Sequence, residues 1–386
     1  MNKRILTMFW YDDISEVHLY KDVGGIPYAL AKYCGWEATF AYSDINGIIK
    51  NSDFEKYVDL KTIHYSRTCS KLKLKIIKYC NVMKFVWQNA ARYDVINFYH
   101  THKFIMFLCW LAKKRNPVIK TYVKMDMGRD GFEKTINHAR TGKKKWWHHF
   151  TTSVDLFTVE AEKYALELTE KVKKYKNVQY LPNGFFADFL PVGDQISKER
   201  IILTVGRIGT YQKNTELLIN TLLQIPKEKL TGWSVYIVGP IEKDFFKWYE
   251  KITYSNLWLR EHIVFTGNIT DKGKLHEIYS KSSVFVLSSR YEGFPLVVPE
   301  AMYFKNYLIS TDCFGAADEI IKSDISGFGR IVPGEDINSL KEALEEVLDG
   351  KVDLTVQGAN AGAFAIENLD WRVIAKKLEC YLQNLS

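Results

Sequence analysis

Residues Val284–Phe304 read V-F-V-L-S-S-R-Y-E-G-F-P-L-V-V-P-E-A-M-Y-F. The run opens on a β-prone apolar segment, VFVLSS, bends through Gly293-Phe294-Pro295, and continues into residues that suit a helix. Proline is tolerated in the first helical turn, where its missing N–H has no partner to lose. Pro299 therefore predicts a helix that starts between Pro295 and Pro299. Two carboxylates flank the bend, Glu292 in the turn and Glu300 inside the helix. Taken singly, Glu292 reads as a surface acid and Glu300 as a helix-start acid favoured by the dipole. The pair acquires meaning only from its surroundings.

The same strand-turn-helix unit recurs along the chain. In the first half the strand candidates are RILTMFWY, EATFAYS, TIHYS, DVINFYH, PVIKTYV, DLFTVEA and VQYLP. In the second half they are RIILTVG, SVYIVG, HIVFTG, VFVLSS and YLIST, with helices such as NTELLINTLL and NSLKEALEEVL between them. This alternation predicts two α/β domains built on parallel sheets, and 386 residues are enough for two cores. The turn Pro182-Asn183-Gly184 closes the first set, and the polar stretch PVGDQISKER precedes the second. The boundary is accordingly expected near residue 192, with domains over 1–192 and 193–367.

Composition narrows the function classes. Hydrophobic residues make up 47% and charged residues 25%, as in a globular chain with a full core. The six cysteines have no CxxC or zinc-finger spacing, which favours reduced thiols in a cytoplasmic protein over a disulfide framework or a metal site. The start, MNKRILTMFWYDD, reads as a first strand and not a secretion signal. The longest apolar run, FIMFLCWLA, is too short to span a bilayer. The net charge of +8 sits in the first 190 residues, which hold 31 basic against 19 acidic side chains. A basic half attracts nucleic acid, anionic lipid or a phosphorylated substrate, and charge alone does not choose among them.

Two further loops follow apolar strands. ILTVGRIGTYQKN (Ile202–Asn214) sets Arg207 and Lys213 at a strand exit ahead of a helix, where a diphosphate is held by cations and free N–H groups; a solvated loop is the plain alternative. GxxxxGK[ST] is absent, so this is no P-loop. DVGGIPYALAKYCG (Asp22–Gly35) puts Gly24 and Gly25 between the first strand and first helix, where backbone can approach a ligand or simply turn.

With VGR…KN upstream, PNG at the junction and S-x-YEGFP…EAM carrying E-x7-E, the sequence resembles family 4 glycosyltransferases of the GT-B fold. The likeness is strong over the second half; in the first it rests on Gly24-Gly25 and strand order. The resemblance implies two Rossmann-like domains facing across a cleft, with the ending NLDWRVIAKKLECYLQNL (residues 368–386 in the domain assignment) crossing back onto the N-terminal domain. It implies that Arg207 and Lys213 bind the diphosphate of a nucleotide-sugar donor, a UDP-sugar being the commonest. Glu300 would take the ribose hydroxyls. Glu292, with the backbone of Gly293, Phe294, Pro295 and Leu296, would lie by the transferred sugar, and Gly24 and Gly25 would join the donor site. The anomeric configuration would be retained, and no metal is required, because the two cations do that work; no D-x-D motif occurs.

One position departs from the family. The histidine expected after PVIKTYV is replaced near Val123 and Lys124, in VIKTYVKMDMGRDG. The role it leaves open, that of a base or acceptor-orienting group, falls to Lys124, Asp126, His100 or His102, or to none of them if these are loop polars. The segments ARTGKKKWWHHF (Ala139–Phe150) and KLKLKIIK (Lys71–Lys78) suit an anionic membrane surface, or a solvated charged face. The expectation is a sugar transferase acting on a glycan or lipid-linked acceptor in surface polysaccharide assembly, with no nucleic-acid partner. The alternatives are a nucleotide-sugar epimerase and an inactive nucleotide-sugar-binding subunit.

Overall fold

The computed structural model describes residues 3–11, 14–44, 47–64, 71–140, 150–191, 197–321 and 327–385. It divides into two compact units, Met1–Gly184 with Trp371–Ser386, and Phe185–Asp370. The division falls at Gly184/Phe185, ahead of the expected position near 192, and residues 192–196 lie outside the described residues. Phe185 already belongs to the second unit, because its N–H donates to Leu369 O at 3.0 Å and it bridges Asp370.

The first unit holds seven parallel strands: β1 (Arg4–Phe9), β2 (Glu37–Ser43), β3 (Val58–Ile63), β4 (Val95–Tyr99), β5 (Lys120–Lys124), β6 (Leu156–Val159) and β7 (Val178–Tyr180). Their order is β3-β2-β1-β4-β5-β6-β7. β1, β4 and β6 are near-continuous apolar runs, as strands buried on both faces must be, and every residue of β4 and β6 is buried. β3 starts earlier than the expected TIHYS, because Val58 and Ile63 are the buried ends of the strand and His64 is exposed.

The first helix runs Asp22–Cys34 and takes in Gly24 and Gly25, which the sequence placed in a connecting turn. Two helical glycines are unfavourable by propensity, and packing explains them. A Cβ on Gly24 would lie 2.3 Å from Leu19 O, and one on Gly25 would lie 2.8 Å from the Trp371 indole. The space these glycines leave on their Cβ side is filled by the unit's own chain, so both serve packing. The last helix, Trp371–Gln383, lies against the first, with Trp371 fully buried. Trp36 Nε1–H donates to Glu379 Oε1 at 2.9 Å, and Tyr381 O–H donates to Tyr180 O at 3.1 Å.

The second unit carries six parallel strands: β8 (Glu199–Val205), β9 (Ser234–Val238), β10 (Ile263–Gly267), β11 (Ser282–Leu287), β12 (Tyr307–Thr311) and β13 (Gly329–Val332). Their order, β10-β9-β8-β11-β12-β13, is the Rossmann arrangement, counting from β8. The edge strand β13 was not expected, since G-R-I-V combines a glycine with an exposed arginine. Ile202, Val235, Ile237, Val284, Val286 and Ile309 project from the sheet into one core with Leu218, Leu222, Leu340 and Leu344 of the flanking helices.

Candidate functional site

β8 and β11 are neighbours at the point where the strand order of the second sheet reverses. The loops that leave them, Gly206–Asn214 and Ser288–Leu296, therefore emerge side by side on the carboxyl edge, where open α/β sheets bind ligands. Two hydrogen bonds to backbone carbonyls zip the two loops together. Arg290 N–H donates to Gln212 O at 2.8 Å, and Ser288 O–H donates to Lys213 O at 3.2 Å. Gly239, at φ 136°, lets the next strand exit press on this loop, since a Cβ there would fall 1.8 Å from Gly206 O.

The side chains of the two loops meet at Glu292, which is buried. Lys213 Nζ pairs with its Oε1 at 2.6 Å, Ser289 O–H donates to Oε1 at 2.7 Å, and Gln212 Nε2–H donates to Oε2 at 3.0 Å. The Lys213 and Glu292 side chains are 17% and 9% exposed, so the pair is shielded from water. Lys213 and Glu292, expected to serve different parts of a donor, thus touch each other. The exposed Arg207 reaches the same cluster by donating to Gln212 Oε1 at 2.6 Å. A neutralised Lys213–Glu292 pair leaves Arg207 as the outward cation of this loop. Arg290 stacks over the Tyr211 ring at 4.3 Å and pairs with Glu335, fixing the rim.

The helix beyond the bend starts at Val297, with Pro299 in its first turn as expected, and Glu300 follows. Tyr279, fully buried, donates its O–H to Glu300 Oε2 at 3.3 Å. Burial pushes the Glu300 carboxyl up to about 7, against the lowering effects of Tyr279 and Lys272. Gly293, Phe294, Pro295 and Leu296 form the bend between the two acids. Gln212, Ser289, Tyr279 and the Arg290–Glu335 pair were not foreseen. The signal for Gln212 was its place between Arg207 and Lys213 in a loop already singled out.

In the first unit the strand order reverses between β1 and β4. Of the four residues considered there, Lys124 cannot face a ligand. It is 0% exposed, and its Nζ lies 2.8 Å from Glu160 Oε1 and 2.8 Å from Leu181 O. His102 caps the helix Lys103–Arg115 by accepting the Phe104 N–H at Nδ1, 3.2 Å, and burial lowers its pKa, which suits that acceptor role. His100 and Asp126 follow adjacent strands, and both adopt left-handed backbone, at φ 64° and 43°. Asp126 is exposed. Behind it Asp22 is buried, and among the described residues its Oδ2 has no hydrogen-bond partner; burial, then the Asp126 charge, push its carboxyl up to about 7 while Lys124 pulls it down. Asp22 and Glu160 escaped the sequence reading; Glu160 ends an otherwise apolar strand run, which was the available hint. Residues 141–149, which hold the Lys/Trp segment, lie outside the described residues.

Residues 189–363, within the second unit, match the family model described as Glycosyl transferases group 1. The chain therefore carries a glycosyltransferase group 1 domain. It is similar to the amylovoran biosynthesis glycosyltransferase AmsD of Erwinia amylovora, at 36% identity over 127 residues, 33% of each chain. It is also similar to the GalNAc-α-(1→4)-GalNAc-α-(1→3)-diNAcBac-PP-undecaprenol α-1,4-N-acetyl-D-galactosaminyltransferase of Campylobacter jejuni, at 26% identity over 175 residues, 45% of this chain and 46% of the relative. The chain thus spans between a third and half of the length of these two curated relatives. Among solved structures, Anabaena HepE, determined in complex with UDP, superposes with a TM-score of 0.72 at 13% identity, covering 99% of this chain and 100% of that one. The two parallel α/β units are those of the GT-B glycosyltransferases.

Proposed function

We propose that this chain is a retaining, metal-independent glycosyltransferase. It moves a hexose-type sugar from a nucleotide-sugar donor, a UDP-sugar being favoured, to a glycan or lipid-linked glycan in the assembly of a bacterial surface polysaccharide. One observation carries the reading: inside the group 1 domain, two loops zipped at the switch point bring Arg207, Lys213 and Glu292 into one cluster. Breaking the bond from the sugar C1 to a nucleoside diphosphate builds negative charge on the leaving phosphate and positive charge on the ring. Arg207 and Lys213 neutralise the first, and Glu292 and the Gly293–Leu296 backbone lie by the second. Incoming diphosphate competes with Glu292 for Lys213, so donor binding redistributes an existing ion pair. Glu300, held by Tyr279, accepts from the ribose. The relatives' printed roles in amylovoran biosynthesis and on an undecaprenol-linked glycan, and the UDP bound to HepE, support the acceptor and donor classes.

The test is a thermal-shift screen against nucleoside diphosphates and their sugars, since a ligand at about 100 Kd adds about 2.7 kcal/mol to the folded state. A rise with UDP that Arg207→Ala abolishes supports the reading; no rise with any nucleotide rejects it. A lipid-linked acceptor also calls for membrane proximity. Among the described residues no helix is long and apolar enough to cross a membrane. The helix Lys71–Asn89 is basic and exposes Ile76 (56%) and Trp87 (46%), which suits peripheral contact with anionic lipid. Co-sedimentation with phosphatidylglycerol vesicles at low salt checks this, and its absence rejects it.

A further inference from the structure

Asp126 stands out along its segment. Residues 121–125 and Met127 are buried and Asp126 alone is exposed, on left-handed backbone that a non-glycine residue rarely adopts. Among the described residues its carboxylate has no hydrogen-bond partner. Its neighbours, by contrast, are pinned on every side. Lys124 O accepts the His100 N–H at 2.8 Å, and Lys124 Nζ is held by Glu160 and Leu181 O. Met125 N–H donates to Thr158 O at 2.8 Å, and Met127 N–H donates to Glu160 Oε2 at 3.2 Å. One carboxylate thus ties the side chain two residues before Asp126 to the backbone one residue after it.

Resting on the glycosyltransferase reading, we infer that the buried Lys124–Glu160 pair is a positioning device that holds Asp126 at the carboxyl edge of the first sheet, where its carboxylate accepts a hydrogen bond from the hydroxyl of the sugar acceptor. Three observations support the assignment. Two of the three competing groups are occupied, Lys124 by its partners and His102 by its capping bond, and the third, His100, sets its ring edge-on to Tyr11 at 5.3 Å. Local strain of this kind persists only where surrounding structure over-determines it, and it gathers at functional sites. A buried ion pair is also an unpromising way to gain stability, because an apolar pair of similar volume often serves as well or better. Methionine and leucine at 124 and 160 would fill the space. They could not receive the Met127 N–H or donate to Leu181 O, so the polar pair supplies alignment that an apolar pair lacks.

The test compares Lys124→Met/Glu160→Leu, Glu160→Gln and Asp126→Asn in the full chain. The readouts are melting temperature, UDP-induced thermal shift, hydrogen exchange over residues 124–130, and transfer from UDP-glucose to octyl glucoside as a surrogate acceptor. The double variant should melt within a few degrees of wild type and keep its UDP shift. It should exchange faster over 124–130 and lose about tenfold or more in transfer kcat with the UDP-glucose KM within twofold. Glu160→Gln keeps an acceptor for the Met127 N–H but leaves the buried Lys124 charge unpaired, so it should melt well below both while its exchange and transfer fall between theirs. Asp126→Asn should lose transfer without faster exchange. If the double variant transfers with wild-type kcat, the pair is structural filling and the proposal is overturned. A wild-type protein that shows no UDP shift and no transfer rejects the donor reading and the acceptor role together. Exchange that stays slow in the double variant overturns the clamp whatever the activity.

Discussion

Lys213→Ala should damage both stability and turnover, whereas Arg207→Ala should damage turnover alone. Removing one partner of a buried ion pair costs about 3–5 kcal/mol, because a charge is left uncompensated. Here the stranded group would be Glu292, whose side chain is 9% exposed. It would keep two donors, Ser289 at 2.7 Å and Gln212 at 3.0 Å. Both hydrogen bonds are present in the wild type too, so they keep the stranded carboxylate partly satisfied and place the cost at the low end of that range. A net cost of about 3 kcal/mol follows, equivalent to about 6–12 °C in the melting of a unit of this size. Arg207 is exposed with one contact to Gln212, so its removal should stay within about 0.5 kcal/mol. Each cation facing the leaving phosphate should still be worth about 10²–10³ in kcat/KM. The assay pairs calorimetric melting with steady-state turnover of UDP-glucose. Lys213→Ala/Glu292→Gln, which removes both charges, should recover most of the melting temperature and none of the rate. If Lys213→Ala melts like wild type, the buried-pair argument fails; if both single variants turn over normally, the phosphate assignment fails.

Gly25→Ala should lower the melting temperature by several degrees with UDP affinity unchanged, because its Cβ would press on the fully buried Trp371 ring; calorimetry with and without UDP checks both halves. Asp22 binds its proton more tightly folded than unfolded, so its contribution to stability falls as pH rises from about 4 to 7 and stays lost above that. Asp22→Asn should therefore melt higher than wild type by a margin that widens between pH 5 and pH 8, and a constant margin would contradict the burial argument. Glu300 carries the same sign, so the second unit should lose stability as pH rises from about 4.5 to 7. Glu300→Gln should flatten that part of the melting-versus-pH curve, and Glu300→Ala should also weaken UDP binding measured by titration calorimetry.

Most strands were readable because an all-parallel sheet covered on both faces needs unbroken apolar runs, and β1, β4, β8 and β11 supply them. β13 was unreadable for the opposite reason: at the sheet edge Arg330 can stay exposed, so the run carries no such signature. Gly24 and Gly25 misled because their justification, Leu19 and Trp371, is tertiary, and Trp371 comes from the other end of the chain. In the candidate site, residue types and loops were legible, and partnerships were not. Lys213 meets Glu292 across 79 residues, and Lys124 meets Glu160 from a neighbouring strand exit. Periodicity says which strand a charge ends, but strand order decides which charge it finds there.

The second unit is an uninterrupted stretch, Phe185–Asp370, while the first takes its closing helix from beyond it. During synthesis the later-made lobe can complete its core as soon as it clears the ribosome. The earlier-made lobe must wait with its Gly24-Gly25 surface uncovered until Trp371 arrives. Maturation would then run against the order of translation, and chaperone dependence should concentrate on that waiting face.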